Sequence, residues 1–124
     1  MNIYKTRQFD KWAAKEGLTD HALMSAVAEM DAGLIDADLG GHVVKKRVAL
    51  PGRGKSGGAR TLLAYRLGNR AFFVYGFAKN ERDNIDDKEL KALKQLAAIQ
   101  LGLLPAQLEH ALREGKLIEV KDHD

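Results

Sequence analysis

The chain has 124 residues, enough for one domain with a single modest core, so we predict one domain over residues 1–124. It has no cysteine, which excludes disulfide frameworks and thiol catalysis, and its four histidines lack metal-ligand spacing, so no cofactor is predicted. The first residues are charged throughout, and no run approaches the roughly 20 apolar residues of a membrane span. We therefore expect a soluble, cytoplasmic protein with no membrane partner.

Positive charge is concentrated in the middle third of the chain. Residues 42–82 hold ten Lys and Arg against one acid, Glu81, a balance of +9 that leaves −6 for the rest of a chain whose net charge is +3. Such a segment is typical of a surface that binds a polyanion, most commonly nucleic acid. The alternative is a solvated sheet edge that Lys and Arg protect against aggregation. Edge protection does not explain why the cations share a stretch with four glycines, so nucleic acid is favoured.

The N-terminal third predicts a short strand followed by two helices. "NIYKT" alternates as a strand does, and "RQFDKWAAK" then spaces its apolar residues at helical intervals. A second helix is predicted in "TDHALMSAVAEMDAG", with Thr19 or Asp20 as its cap.

The centre of the chain predicts antiparallel strands. "HVVKKRVAL" has strand character, and "RTLLAYRL" and "RAFFVYGFA" are two β-rich runs joined at Gly68-Asn69, a strong hairpin signal. Alternation with period two places Arg60 and Arg66 on one face of the middle strand and Tyr65 on the other. One face of the sheet is therefore predicted to be basic at its two ends.

The C-terminal third predicts two helices and a final strand. Asp86 and Glu89 stand at capping-box spacing before an amphipathic run that Gly102 ends. Pro105 suits the first position of another helix, and "KLIEV" then has strand character. Together the elements predict an α+β fold.

A glycine-rich stretch, "LPGRGKSGGARTLLAYR" at residues 50–66, contains Gly-Lys-Ser. A phosphate-binding loop of the nucleotide-hydrolysing type requires a glycine five residues earlier and a helix afterwards. Counting back five residues from Gly54 reaches Ala49, and the run after Gly58 is β-rich. Nucleotide hydrolysis is therefore not predicted, and the stretch must serve another anion.

The pairing of "GKSGGARTLLAY" with "FFVYGFAKNERDNI" across the predicted hairpin resembles the RelE/HigB branch of bacterial toxin–antitoxin toxins. The resemblance covers most of the chain. It implies two N-terminal helices packed on a twisted antiparallel sheet, followed by C-terminal helices. It also implies a ribosome-dependent endoribonuclease that cuts mRNA in the A site. The implied partners are the ribosome, mRNA and a cognate antitoxin, often a helix-turn-helix DNA-binding protein.

Cleavage of RNA without a metal requires removal of the 2′-hydroxyl proton, stabilisation of a dianionic phosphorane and protonation of the leaving 5′-oxygen. Clustered Lys and Arg can supply these roles, because an arginine fork matches two phosphate oxygens and a lysine among cations has a lowered pKa. The resemblance implies that Arg60 stabilises the transition state. The full catalytic set that we predict is Arg60, Lys55, Lys79 and Arg82. The predicted RNA- and phosphate-binding residues are Arg53, Lys55, Gly57, Gly58, Arg66 and Asn80.

Two departures from the family pattern leave the general acid and general base open. Asn80 stands where some relatives carry a further arginine, and the C-terminal helix has no tyrosine to stack on a base. Tyr65 and Tyr75 lie inside predicted strands and are assigned to the core rather than to RNA stacking.

Two other functions stay open at this point. One is a related toxin of the ParE type, which binds DNA gyrase and has no need of Lys55 and Arg60 beside a glycine-rich loop. The other is an RNA- or ribosome-binding module without chemistry, which would tolerate Arg60→Lys where a transition-state fork would not.

Overall fold

The computed structural model describes residues 1–52, 54–66, 69–82 and 84–121, except for the side chains of Lys55 and Ser56. The elements in chain order are β1 (Asn2–Thr6), α1 (Arg7–Glu16), α2 (Asp20–Asp31), β2 (Ala37–Asp38), β3 (Val43–Leu50), β4 (Gly54–Arg66), β5 (Arg70–Ala78), α3 (Asp87–Leu101), α4 (Pro105–Arg113) and β6 (Leu117–Glu119). The α+β prediction is confirmed. In this part of the chain no helix is long and apolar enough to cross a membrane.

The six strands form one sheet in the order β2-β3-β4-β5-β1-β6. Strand β1 pairs in parallel with β5 and antiparallel with β6, while β3, β4 and β5 form the predicted antiparallel centre. The antiparallel sheet that the resemblance implies is therefore wrong in part, because β1 inserts between β5 and β6 in parallel with β5 and makes the sheet mixed. The two helices do not come first as the resemblance implies, since β1 precedes them, and this strand is the one predicted in "NIYKT".

Helices cover both faces of this sheet. The α1/α2 face buries Phe9, Leu23 and Phe73 in one apolar cluster. The α3/α4 face buries Phe72 and Leu108 in a second cluster. The adjacent Phe72 and Phe73 are both fully buried because successive residues of β5 point to opposite faces, each of which is covered.

The predicted helix ends are confirmed by the hydrogen bonds that cap them. The Thr19 hydroxyl accepts from the Ala22 N–H at the start of α2. Asp86 and Glu89 form both bonds of a capping box at the start of α3. Each pair satisfies backbone donors that the first helical turn leaves unpaired, so these boundaries follow from a few neighbouring residues.

The register of β4 against β5 shifts once, in the middle of the hairpin. Leu62 is opposite Tyr75, whereas Leu63 is opposite Phe73, so Val74 has no partner and forms a bulge. Beyond the bulge the alternation of β5 is reversed. Tyr75 and Phe77 therefore lie on the α3/α4 face, although simple alternation from Phe73 would place them on the α1/α2 face.

Candidate functional site

The glycine-rich stretch is a strand and not the predicted loop. Gly54 to Gly58 belong to β4, and in this stretch left-handed backbone occurs at Gly54 (φ 66°). Gly58 is buried where β3 and β4 approach closely, at the register shift between Val48 and Leu50. A Cβ on Gly58 would overlap the Val48 carbonyl oxygen and stand 2.7 Å from that of Gly54. Gly58 therefore permits close strand packing.

The other predicted residues of this stretch are described in part. Gly57 is exposed in β4. The backbone of Lys55 lies in the same strand, and its side chain is outside the described residues, as is the whole of Arg53. The roles given to Lys55 and Arg53 stay predictions.

A row of side chains crosses the sheet at the start of β4, on the α3/α4 face. Arg60 stands opposite Arg47 of β3 on one side and Phe77 of β5 on the other. Arg60 is 8% exposed and is already engaged in an interaction within the fold. Two guanidinium groups on neighbouring strands repel one another unless a carboxylate compensates.

Asp36 supplies a compensating carboxylate for Arg47. The Arg47 Nε lies 2.8 Å from one Asp36 oxygen, and the Arg47 backbone N–H donates to the other oxygen at 2.7 Å. Burial alone would raise the pKa of Asp36, but these two hydrogen bonds and the positive charge hold it below its ordinary value. The Arg47 side chain nevertheless stays 47% exposed, so its outer nitrogens remain accessible to an anion.

Arg82, a predicted catalytic residue, is bound at the same end of the sheet. Its two outer nitrogens lie 2.6 and 3.1 Å from the Glu89 oxygens, and its Nη1 also donates to the Tyr75 hydroxyl at 3.3 Å. Its guanidinium lies over the Phe77 ring, 5.5 Å from the centroid. The hydrogen bond to Glu89 raises the pKa of Arg82, and the same bond lowers the pKa of Glu89.

Lys79 and Asn80 are exposed in the turn that follows β5. The Lys79 N–H donates to the Gly58 carbonyl at 3.3 Å, which places this turn beside the start of β4. Lys79, Asn80, Arg60 and Arg82 therefore share one end of the sheet.

Arg66 lies at the opposite end of β4. Six residues separate it from Arg60, which in a strand is about 20 Å. It lines a separate cavity of about 530 Å³ together with Asp31 and His42. Arg66 and Arg60 cannot bind the same phosphate, so the structure splits the predicted binding set in two.

The two strand tyrosines have different environments. Tyr65 is buried, and its hydroxyl donates to Asp31, as a core residue's would. Burial, followed by that hydrogen bond, raises the pKa of Tyr65. Tyr75 is only half-buried, its ring centroid is 5.9 Å from that of Phe77, and its hydroxyl contacts Arg82. The prediction that both are core is thus confirmed for Tyr65 and wrong for Tyr75.

One sequence signal could have identified Tyr75. Gly76 interrupts an otherwise bulky strand, and a glycine within a strand often marks a bulge or a close approach. In the structure the Trp12 ring packs against Gly76, where a Cβ would come within 2.6 Å of the indole. Arg47 and Glu89 were also missed, because their role depends on pairing between distant segments.

At this end of the sheet Arg47, Arg60 and Phe77 form one row, Arg82 lies over the Phe77 ring, and the exposed Lys79 and Asn80 follow in the turn after β5. Guanidinium groups bind phosphate oxygens in pairs, and an aromatic ring beneath a guanidinium restricts its orientation. The arrangement can therefore hold a phosphodiester and stabilise added negative charge on it.

Comparison with known proteins gives a family for the chain. No curated protein matches it. The model of the RelE toxin of the RelE / RelB toxin-antitoxin system matches residues 1–120, almost the whole chain. Membership implies a cognate antitoxin as partner. The chain therefore belongs to the RelE toxin family and is the toxin of a toxin–antitoxin system.

Proposed function

We propose that this toxin is a ribosome-dependent mRNA endoribonuclease that inhibits translation by attack of a ribose 2′-hydroxyl on the adjacent phosphate, without a metal. The row Arg47–Arg60–Phe77 with Arg82 above it is the observation that supports the proposal most directly. RelE-family toxins are typically endoribonucleases, which agrees with this chemistry. The protein then works in the cytoplasm with the ribosome, and its antitoxin is proposed to be a helix-turn-helix DNA-binding protein.

The roles follow from where charge develops during the reaction. Attack by the 2′-oxygen adds a negative charge to the phosphorus centre, so the strongest stabilisation comes from fixed cations at its equatorial oxygens. Arg60, on the central strand β4, is the most buried of the three arginines and is assigned this role. Lys79 and Lys55 are candidates for the proton transfers, and Asn80 for holding the RNA backbone.

Glu89 reduces the positive charge available to RNA, because it binds both outer nitrogens of Arg82. A phosphate that uses Arg82 must share or replace these bonds. Arg82 is therefore best assigned to binding the RNA backbone, with its contribution set by competition against Glu89.

Replacing Glu89 with glutamine should strengthen RNA binding. Glutamine retains the capping box of α3 but removes the charge that neutralises Arg82. We expect roughly fourfold tighter binding of a short oligo(U) RNA at 0.15 M salt, and a salt dependence of log K steeper by about 0.7, as for one additional phosphate contact. Fluorescence anisotropy over a salt series measures both quantities. Glu109→Gln on α4 is the matched charge control, and an equal effect in that variant would contradict the assignment.

The endoribonuclease proposal is tested by primer extension on a reporter mRNA in a purified translation system. Wild type should cut within translated codons only when ribosomes are present, and Arg60→Ala should not cut. Arg113→Ala, which removes an exposed arginine from α4, is the control for loss of charge and should cut as wild type does. Intact mRNA at a toxin concentration that still arrests growth in cells would refute the proposal and direct attention to DNA gyrase.

A further inference from the structure

A groove of about 240 Å³ opens on the α3/α4 face beside Arg82, between the bulge of β5, the first turn of α1 and one side of α3. Its floor is apolar and consists of Val74, Leu93 and Leu96. At its mouth stand the ring of Tyr75 and two hydrogen-bonding side chains, Gln8 and Glu89. A slot with an apolar floor and a few convergent polar groups is the usual form of a small-ligand site.

The polar groups at the mouth of the groove can make further hydrogen bonds. Gln8 is exposed, and its carboxamide makes no hydrogen bond to any residue that the structure describes. The Glu89 Oε1 accepts from Arg82 and from the Asp86 N–H, whereas Oε2 accepts only the longer bond of 3.1 Å from Arg82. A carboxylate oxygen has two lone pairs, so Oε2 can accept a further hydrogen bond.

The groove is continuous with the candidate site. The Tyr75 hydroxyl at its mouth contacts Arg82 at 3.3 Å, and Arg82 lies over Phe77, the direct neighbour of Arg60 across the strands. A nucleotide whose phosphate binds these arginines therefore has its base within reach of the groove. Single-stranded RNA is generally read in this way, with an unstacked base against an aromatic ring and its edge on polar side chains.

We propose that this groove is a nucleobase subsite that selects a base bearing an exocyclic amino group, namely adenine, cytosine or guanine, over uracil. The inference rests on the proposed function. A carboxylate accepts hydrogen bonds from a base amino group, and a glutamine carboxamide pairs with adjacent donor and acceptor atoms on a base edge. Uracil offers no amino group, and its one edge donor, the N3–H, lies between two carbonyl oxygens that would repel the Glu89 carboxylate.

The test is to map cleavage ends by sequencing on a mixed pool of translated mRNAs, so that base preference is a ratio within one reaction and does not depend on total rate. Wild type should disfavour uracil at one fixed position next to the cut by at least about fivefold. Gln8→Ala should weaken that preference, and Ala92→Trp, which fills the groove, should abolish it. Gln95→Ala, an exposed glutamine on α3 outside the groove, should preserve it.

The outcomes separate the two proposals. If wild type cuts no translated mRNA, the proposed function fails. If it cuts without base preference, or if Gln8→Ala and Ala92→Trp keep the wild-type preference, the subsite is overturned and the nuclease stands. If Ala92→Trp keeps the base preference but is no longer neutralised by the antitoxin, the groove binds the antitoxin and not a base. For a folded variant that cuts too slowly to map, the ratio of oligo(A) to oligo(U) binding by anisotropy decides in the same way.

Discussion

Replacing Arg60 with lysine should lower ribosome-dependent cleavage at least about 100-fold, the usual effect of removing one preorganised donor from a developing oxyanion. Lysine keeps the positive charge but presents a single ammonium, which cannot hold two phosphate oxygens in the plane of a fork. The loss should be in the cleavage rate and not in the binding of RNA, because the exposed Arg47 and Lys79 still bind the backbone.

Single-turnover cleavage in the purified translation system measures the rate, and anisotropy measures RNA binding. Arg113→Lys, the same substitution at an exposed position of α4, is the control. Thermal unfolding of the Arg60 variant must first show a folded protein, since the side chain is buried. A folded Arg60→Lys toxin with near wild-type cleavage would favour the RNA-binding module without chemistry.

The sequence predicts this fold where the signals are local. Thr19 and the pair Asp86 and Glu89 cap their helices with hydrogen bonds three residues apart, and Pro105 begins α4 as expected. The hairpin of β4 and β5 is also confirmed, with Arg66 opposite Arg70, although Gly68 itself lies outside the described residues. These features depend on a few adjacent residues, which is why periodicity and capping patterns find them.

The sequence does not predict which strands pair when they are far apart in the chain. Nothing near β1 specifies that it pairs in parallel with β5, more than 60 residues later. The bulge at Val74 had a larger consequence for the site, because it reverses the alternation of β5. Alternation with period two from Phe73 places Tyr75 on the α1/α2 face, whereas the extra residue moves it to the face that holds Arg60.

The sequence shows that the middle third is positively charged, but it cannot show which of its cations are accessible to an anion. Lys46 is 4% exposed on the α1/α2 face, where its Nζ lies 2.8 Å from Glu29 and 2.9 Å from the Leu34 carbonyl. Arg47 and Arg82 are paired with acids from other segments. A buried ammonium must be paired to be tolerated, so Lys46 connects α2 to the sheet and is not part of an RNA surface.

Replacing Gly58 with alanine should destabilise the protein by about 3 kcal/mol, at the upper end of the usual cost of overpacking. The added methyl group would overlap two backbone carbonyl oxygens, those of Val48 and Gly54, and neither can move without shifting a strand. Gly57→Ala is the matched control. Gly57 is the adjacent residue of β4 and is exposed, so alanine there should change stability by less than about 0.5 kcal/mol. Urea unfolding of the three proteins gives the comparison.

The same pair of variants separates two explanations for the glycines. If both are needed so that backbone N–H groups can approach phosphate, both alanine variants should bind RNA less tightly without losing stability. If Gly58 serves strand packing, its substitution alone should lower stability. Because the Gly58 carbonyl accepts the Lys79 N–H, displacement of β4 should also move the turn that carries Lys79 and Asn80. Gly58→Ala should then cut mRNA poorly even at temperatures where it is folded, through the position of that turn and not through a lost phosphate contact.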